Sequence, residues 1–349
     1  MAAASGGVTS IITRPDTIPA IDTPEKLEFV IKRADTVSPI NIYPMAALTR
    51  DRAGSEMTEL GLLRDAGAIG FTDCDQVMAN NKVLTRCLTY AASLDMLVQG
   101  HPQDITLSAG ASATSGKFAS LRGLPSVNAI AEMIGVQRDL AIVELTGVKY
   151  HFDQLSTSRA LDPLKRAKRD GLDVTAGASI HHLTLNEMDI GDYRTFFKIK
   201  PPLRSEDDRL AMVEAIADGT IDIISSMHTP QDEESKRLPF EEAASGAVGL
   251  ETILPASLKL YHNNSVSLPK LFRALSLNPA KRFNLNRGTL EPNKKADLVL
   301  FDADAPFVLN RFTLNSKSKN TPYDESLMQG KVIKTFVNGL EVYGESINE

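Results

Sequence analysis

The chain has 349 residues, 38 of them basic and 44 acidic, a net charge of -6, and 42% apolar side chains; this describes an ordinary globular protein and excludes a disordered one. No apolar run approaches the roughly 20 residues that span a bilayer, no basic or aromatic-interleaved patch points to nucleic acid, and the opening MAAASGGVTSIITRP lacks a secretory signal pattern. Cys74 and Cys87 are too few for a disulfide framework and spaced wrongly for a thiolate zinc site, so a cytoplasmic protein with small-molecule or protein partners is expected, with no membrane or nucleic-acid partner.

Short β-branched runs alternate with longer amphipathic stretches from the start. VTSIIT (8–13) precedes EKLEFVIKRA, INIYP (40–44) precedes TELGLLRDAG, and AIGFTD (68–73) precedes VLTRCLTYAAS. The rhythm continues through MLVQGH (96–101), a helix-rich insert reaching Arg138, VKYHFDQLS (148–156), LDPLKRAKRDG, VTAGAS (174–179), DDRLAMVEAIADG and IDIISSMH (221–228). That is the pattern of βα units on a parallel sheet, with seven barrel-type strands and chemistry expected at their carboxyl ends. An eighth strand would have to precede Gly6, so the barrel is read as lacking its first strand, and the resulting open edges favour self-association. After Leu275 the style changes: SLNPAKRFNL reads as a short helix, and GTLEPNKKADLVLFDAD and KVIKTFVNGLEVY read as strands of a small antiparallel module. The expected division is a barrel over 1–285 and a C-terminal β module over 286–349.

An ordered set of segments carries a family resemblance. GGVTSIITRPDTIPAID (6–22), ELGLLRDAGAIGFTD (59–73), SIHHLTLNEMDIGDY (179–193), KIKPPLRSEDDR (198–209), ADGTIDIISSMHTPQ (217–231), GAVGLET (246–252) and the tail segments GTLEPNKKADLVLFD and SKSKNTP (316–322) together resemble class I dihydroorotases. The resemblance spans essentially the whole chain. It implies an α/β fold, a (β/α)₈ barrel of the amidohydrolase kind with a β-sandwich remnant beside it, and zinc-assisted interconversion of carbamoyl-aspartate and dihydroorotate.

Hydrolysing a cyclic amide near neutral pH calls for a metal that activates water and a carboxylate that carries a proton. Among the metal ligands that the resemblance implies, a His-x-His pair belongs to a strand upstream of Met1. His101, in GHPQD where the family has His-x-Glu-Asp, is a kept ligand position, although the Glu has become Gln103. The next histidine position reads Gln154, and the general-base aspartate position reads Met227; an amide is a poor zinc ligand and a thioether accepts no proton. The family's Met-Pro-Asn-Thr becomes Arg14-Pro15-Asp16-Thr17 and its Asn-Pro-Pro becomes Lys200-Pro201-Pro202, which alters the substrate-pocket positions Asp16 and Lys200. Asp16 would repel an anionic substrate, and Lys200 is a candidate partner for it.

Residual site candidates are therefore His101, Asp73, Asp75, Asp104 and His228, with His101 and Asp73 as the metal candidates and no intact catalytic set. His181-His182 looks like a metal pair but matches a structural strand-to-helix feature of the family, and His151 and His262 have no motif support. Asp153 beside Gln154 could restore a charge, yet alternation along a strand would turn one of the two away. Two functions compete. One is an impaired dihydroorotase-like protein of pyrimidine biosynthesis, a pseudoenzyme that needs no cofactor and acts as a structural or regulatory partner of aspartate carbamoyltransferase. The other is an active zinc-dependent dihydroorotase or related cyclic amidohydrolase with rearranged ligands.

Overall fold

A computed structural model describes residues 1–344. In chain order the strands are β1 (Ser10–Thr13), β2 (Asn41–Pro44), β3 (Leu97–Gly100), β4 (Ala113–Thr114), β5 (Ser126–Val127), β6 (Lys149–Phe152), β7 (Val174–Ser179), β8 (Ile223–Ser225), β9 (Leu298–Val308), β10 (Leu327–Val337) and β11 (Leu340–Gly344). The contacts separate two compact units: one holds Ser10–Ala109 and Asn128–Gly177, the other Met1–Thr9, Gly110–Val127 and everything from Ala178 onward.

In the first unit the expected βα rhythm becomes a parallel series. β1 pairs with β2, parallel bridges link Ala46 to Phe71 and Phe71 to Val98, β3 pairs with β6, and β6 pairs with β7. Six of the seven expected barrel runs contain strands, while AIGFTD (68–73) joins the series only through the bridges at Phe71. The intervening helices present one apolar face. In Asn81–Ser93 the residues Leu84, Cys87, Leu88 and Ala91 are buried at helical spacing, and the Asn80 side chain caps the start by accepting from the amides of Lys82 and Val83. The run VKYHFDQLS forms strand only to Phe152, because Gln154 takes a left-handed backbone with φ 54°. The insert is helical beyond Arg138, through Ile130–Thr146; its short parallel pair β4 and β5 belongs to the other unit.

In the second unit β8 follows β7 in the sheet order, and the Ser225 hydroxyl donates to the carbonyl of Ala178. The helix Glu206–Asp218 starts on Ser205, whose hydroxyl accepts from the Asp208 amide, and carries Glu206, Asp207 and Asp208 in its first turn, where the helix dipole favours acids. β9, β10 and β11 form an antiparallel sheet whose hairpin turns at Asn338-Gly339, both with positive φ. That pair favours a two-residue turn matched to strand twist. Leu254 and Leu258 of helix Ile253–His262 pack with Val332 of β10. This packing gathers the C-terminal strands into the same compact unit as residues 178–285. The C-terminal module is a single three-stranded sheet among the described residues.

Candidate functional site

In the first unit, the strand-end segments bring together acidic groups and two arginines. Arg14 follows β1. Its Nε lies 3.5 Å from Asp16, its Nη1 3.7 Å from Asp153 and its Nη2 3.9 Å from Asp75. Arg52 reaches Asp75 at 3.6 Å. Burial by itself would lower the Arg14 pKa, but Asp153, Cys74 and Asp16 outweigh it and hold the guanidinium above its ordinary value. Burial in turn pushes the Asp153 carboxyl up, opposed chiefly by Arg14. Asp16, expected to leave an added negative charge, therefore sits beside a positive one.

The metal candidates have other commitments. Asp73 is buried, and both its carboxylate oxygens accept hydrogen bonds: Oδ1 from the amides of Leu48 (3.0 Å) and Thr49 (2.9 Å), Oδ2 from the Thr49 hydroxyl. Its carboxyl is pushed up by burial and pulled down by Thr49. Cys74 has φ 62°, and burial foremost pushes its thiol up to about 12. Asp104, also a site candidate, is a helix cap: its Oδ1 accepts from the amides of Thr106 and Leu107 and from the Thr106 hydroxyl. His101 is buried and lines a cavity of about 30 Å³ together with Asp73, Cys74, Gln99 and Tyr150. That is room for a water molecule or two. An open groove of about 360 Å³ lies over Arg52, Gln76, Met78, Asn80 and Ile105.

Asp153 and Gln154 overturn the alternation argument. The strand has ended before them, and the Gln154 Nε2 donates to Asp153 Oδ2 at 3.3 Å, so the two side chains meet. Next to them is a contact set that the sequence reading missed. Glu132, fully buried in the first turn of helix Ile130–Thr146, accepts from the amides and hydroxyls of both Ser156 and Thr157 and from Gln103 Nε2 at 3.1 Å. Gln103, the departure from the family's Glu, is thus the donor to a buried carboxylate. His151 has a structural contact, its Nδ1 lying 2.8 Å from the Thr175 hydroxyl.

In the second unit His181 lies within electrostatic reach of His182 and His228. His181 and His182 lie in the first turn of the helix Ile180–Thr184 that follows β7, matching the strand-to-helix placement expected of them. His181 stacks on Tyr323, and His182 Nε2 lies 3.1 Å from the Pro201 carbonyl. Burial foremost lowers both imidazoles, to about 3 and about 4. His228 Nδ1 accepts from the amides of Gly249 (3.2 Å) and Leu250 (3.3 Å), which leaves the ring proton on Nε2, and burial lowers its pKa. Met227 has φ 41°, a left-handed conformation that L residues rarely adopt. Lys200 is exposed in this unit, and His262 bonds Ala303 away from the other histidines.

The retained sequence motifs of this unit hold one another. Asn320 of SKSKNTP donates through Nδ2 to the carbonyls of Thr229 (3.3 Å) and Gly246 (3.0 Å) and accepts from the Gln231 amide. Glu251 of GAVGLET accepts from the amides of Asn315 and Ser316 and from the Ser5 hydroxyl. A side chain at Gly249 would put its Cβ 2.1 Å from the Ser226 carbonyl, so only glycine permits that approach.

The chain is 38% identical over 344 residues to a dihydroorotase of Wolbachia sp. subsp. Drosophila simulans, covering 98% of this chain and 78% of that one, and equally identical to a dihydroorotase of Syntrophus aciditrophicus over 99% and 81%. It belongs to the dihydroorotase family. The dihydro-orotase-like family profile matches residues 1–160 of this dihydroorotase-family chain. Among solved structures, the L-hydantoinase (dihydropyrimidinase) of Arthrobacter aurescens superposes with a TM-score of 0.88 at 25% identity, covering all of this chain and 80% of that one. The dihydropyrimidinase of Brevibacillus agri follows the same fold with a TM-score of 0.83 at 20% identity, over 98% and 78%. The fold is accordingly the α/β TIM-type barrel of the amidohydrolases, with a C-terminal antiparallel sheet. No helix among the described residues is long and apolar enough to cross a membrane.

The residues present do not fit the zinc that the family resemblance implies. A catalytic zinc normally takes three protein ligands. Among the described residues no three His, Cys, Asp or Glu side chains converge to hold a metal ion, and the Asp73 carboxylate already accepts three hydrogen bonds from Leu48 and Thr49.

Proposed function

We propose that this dihydroorotase-family chain does not hydrolyse dihydroorotate and serves instead as a structural or regulatory partner of aspartate carbamoyltransferase, the enzyme one step earlier in pyrimidine biosynthesis. The names of its relatives bring the pathway to this chain. One observation carries the first half of the reading: the positions that would supply a histidine ligand and the proton-carrying carboxylate are Gln154 and Met227, and the described residues gather no metal-ligand trio in compensation. An amide and a thioether supply neither imidazole coordination nor a proton acceptor.

The second half rests on resemblance to non-catalytic members of the family and is supported by which segments keep their form. GAVGLET and SKSKNTP, whose side chains pin the main chain, are retained, whereas the donor positions are not. A partner protein needs the frame and its surface; a hydrolase needs the donors as well.

The test has two arms. The chain is purified from its own cells without added metal, its zinc is measured by mass spectrometry, and dihydroorotate turnover is followed with and without zinc. Sub-stoichiometric zinc and no chelator-sensitive turnover are expected. Stoichiometric zinc with turnover abolished by chelator refutes the reading in favour of a hydrolase with rearranged ligands. The eluate from the same extract is expected to contain aspartate carbamoyltransferase, and a preparation without it refutes the partnership.

A further inference from the structure

Three of the carboxylates near the strand ends of the first unit face one side chain. Arg14 turns each of its guanidinium nitrogens toward a different acid: Nε to Asp16, Nη1 to Asp153, Nη2 to Asp75. Asp153 is 5% exposed, so its charge is costly unless a cation stands near it. Arg52 shares Asp75 from its other side. A planar, permanently charged fork meets several carboxylates at once better than a lysine could. A divalent ion brought to the same acids would meet this fixed positive charge at contact range and be repelled by it.

We infer that Arg14 is a resident cation: its guanidinium takes, among Asp16, Asp75 and Asp153, the electrostatic role that a metal ion would have, so the counter-charge of these acids comes from within the chain and this end of the unit is indifferent to divalent metal. The inference deepens the reading above and rests on it. It explains why Arg14 and Asp16 stand together in the altered Arg14-Pro15-Asp16-Thr17 segment: the one positive charge of the fork faces Asp16 and, through another nitrogen, the buried Asp153.

The test is thermal unfolding of the full chain with chelator or with zinc chloride. The unaltered protein is expected to melt at the same temperature in both. Arg14→Met, which restores the residue type of the family segment and strands Asp153, is expected to melt about 5 °C or more lower and to recover part of that loss with zinc. Arg14→Met combined with Asp153→Asn removes both charges and is expected to melt above the single variant, also where the single variant folds poorly. A double variant no more stable than the single one overturns the inference, as does an Arg14→Met protein that melts with the unaltered one. Stoichiometric zinc in the unaltered protein would instead overturn the non-hydrolytic reading, so the two failures are told apart.

Discussion

Glu132 offers the sharpest test of the frame beneath the altered site. Its carboxylate accepts five hydrogen bonds inside the first unit: Oε1 from the Ser156 amide (2.9 Å), the Thr157 amide (2.8 Å) and the Thr157 hydroxyl (2.8 Å), Oε2 from the Ser156 hydroxyl (2.5 Å) and Gln103 Nε2 (3.1 Å). In Glu132→Ala the hydroxyls and the Gln103 amide can rotate toward other partners, but the two main-chain amides cannot. Each orphaned buried donor costs about 1–3 kcal/mol, and with the cavity left behind the loss should reach about 4 kcal/mol. Glu132→Gln keeps the three bonds to Oε1. Its new amide can donate to the Gln103 Oε1, which has no hydrogen-bond partner, once the Gln103 amide flips. That variant should cost only about 1–2 kcal/mol. Urea unfolding followed by circular dichroism reads both values. If alanine is within about 1 kcal/mol of the unaltered chain, or glutamine is as damaging as alanine, the account of Glu132 as the anchor of the Ser156-Thr157 turn is wrong.

Two further outcomes follow from the second unit. His181 and His182 are lowered from 6.5 to about 3 and about 4, burial being the largest cause for both, with His182 and His228 adding to it at His181 and Arg204 at His182. The unfolded imidazoles take up protons that the folded ones refuse, so their contribution to stability is complete above roughly pH 6.5 and is lost as pH falls toward 4, at about 1.4 kcal/mol per pH unit for each group. His181→Phe is expected to flatten that acid limb by one proton's worth in urea midpoints taken from pH 4.5 to 7.5; an unchanged slope would count against it. Asn320→Ala should cost about 2–3 kcal/mol and speed hydrogen exchange at the Gln231 amide, whereas unaltered exchange there would show that Asn320 does not hold the turn.

The sequence displays the alternation of βα units clearly, since that follows from local periodicity, and the Asn338-Gly339 turn marks the final hairpin. Departures at Gln154 and Met227 were also legible, because they are single residues in recognisable segments. What the residues touch was not. Strand alternation failed at Asp153 and Gln154 because the strand stops at Phe152 and Gln154 bends left-handed. Asp73 looked available for metal, but its oxygens belong to Thr49 and Leu48, some 24 residues away in the chain. Asp104 looked like part of an acidic site, and the local spacing of a helix cap explains it instead. The clue to Arg14 was present as a charge reversal two residues from Asp16, but its reach to Asp75 and Asp153 is a matter of folding, not of spacing.

Asn320 grips the Thr229–Gln231 turn through carbonyls and an amide alone. Such a grip senses the course of the polypeptide and is blind to what hangs from it. The side chain at position 227 has no part in that clamp, so the itinerary of the turn and the reactivity it displays are set by different residues.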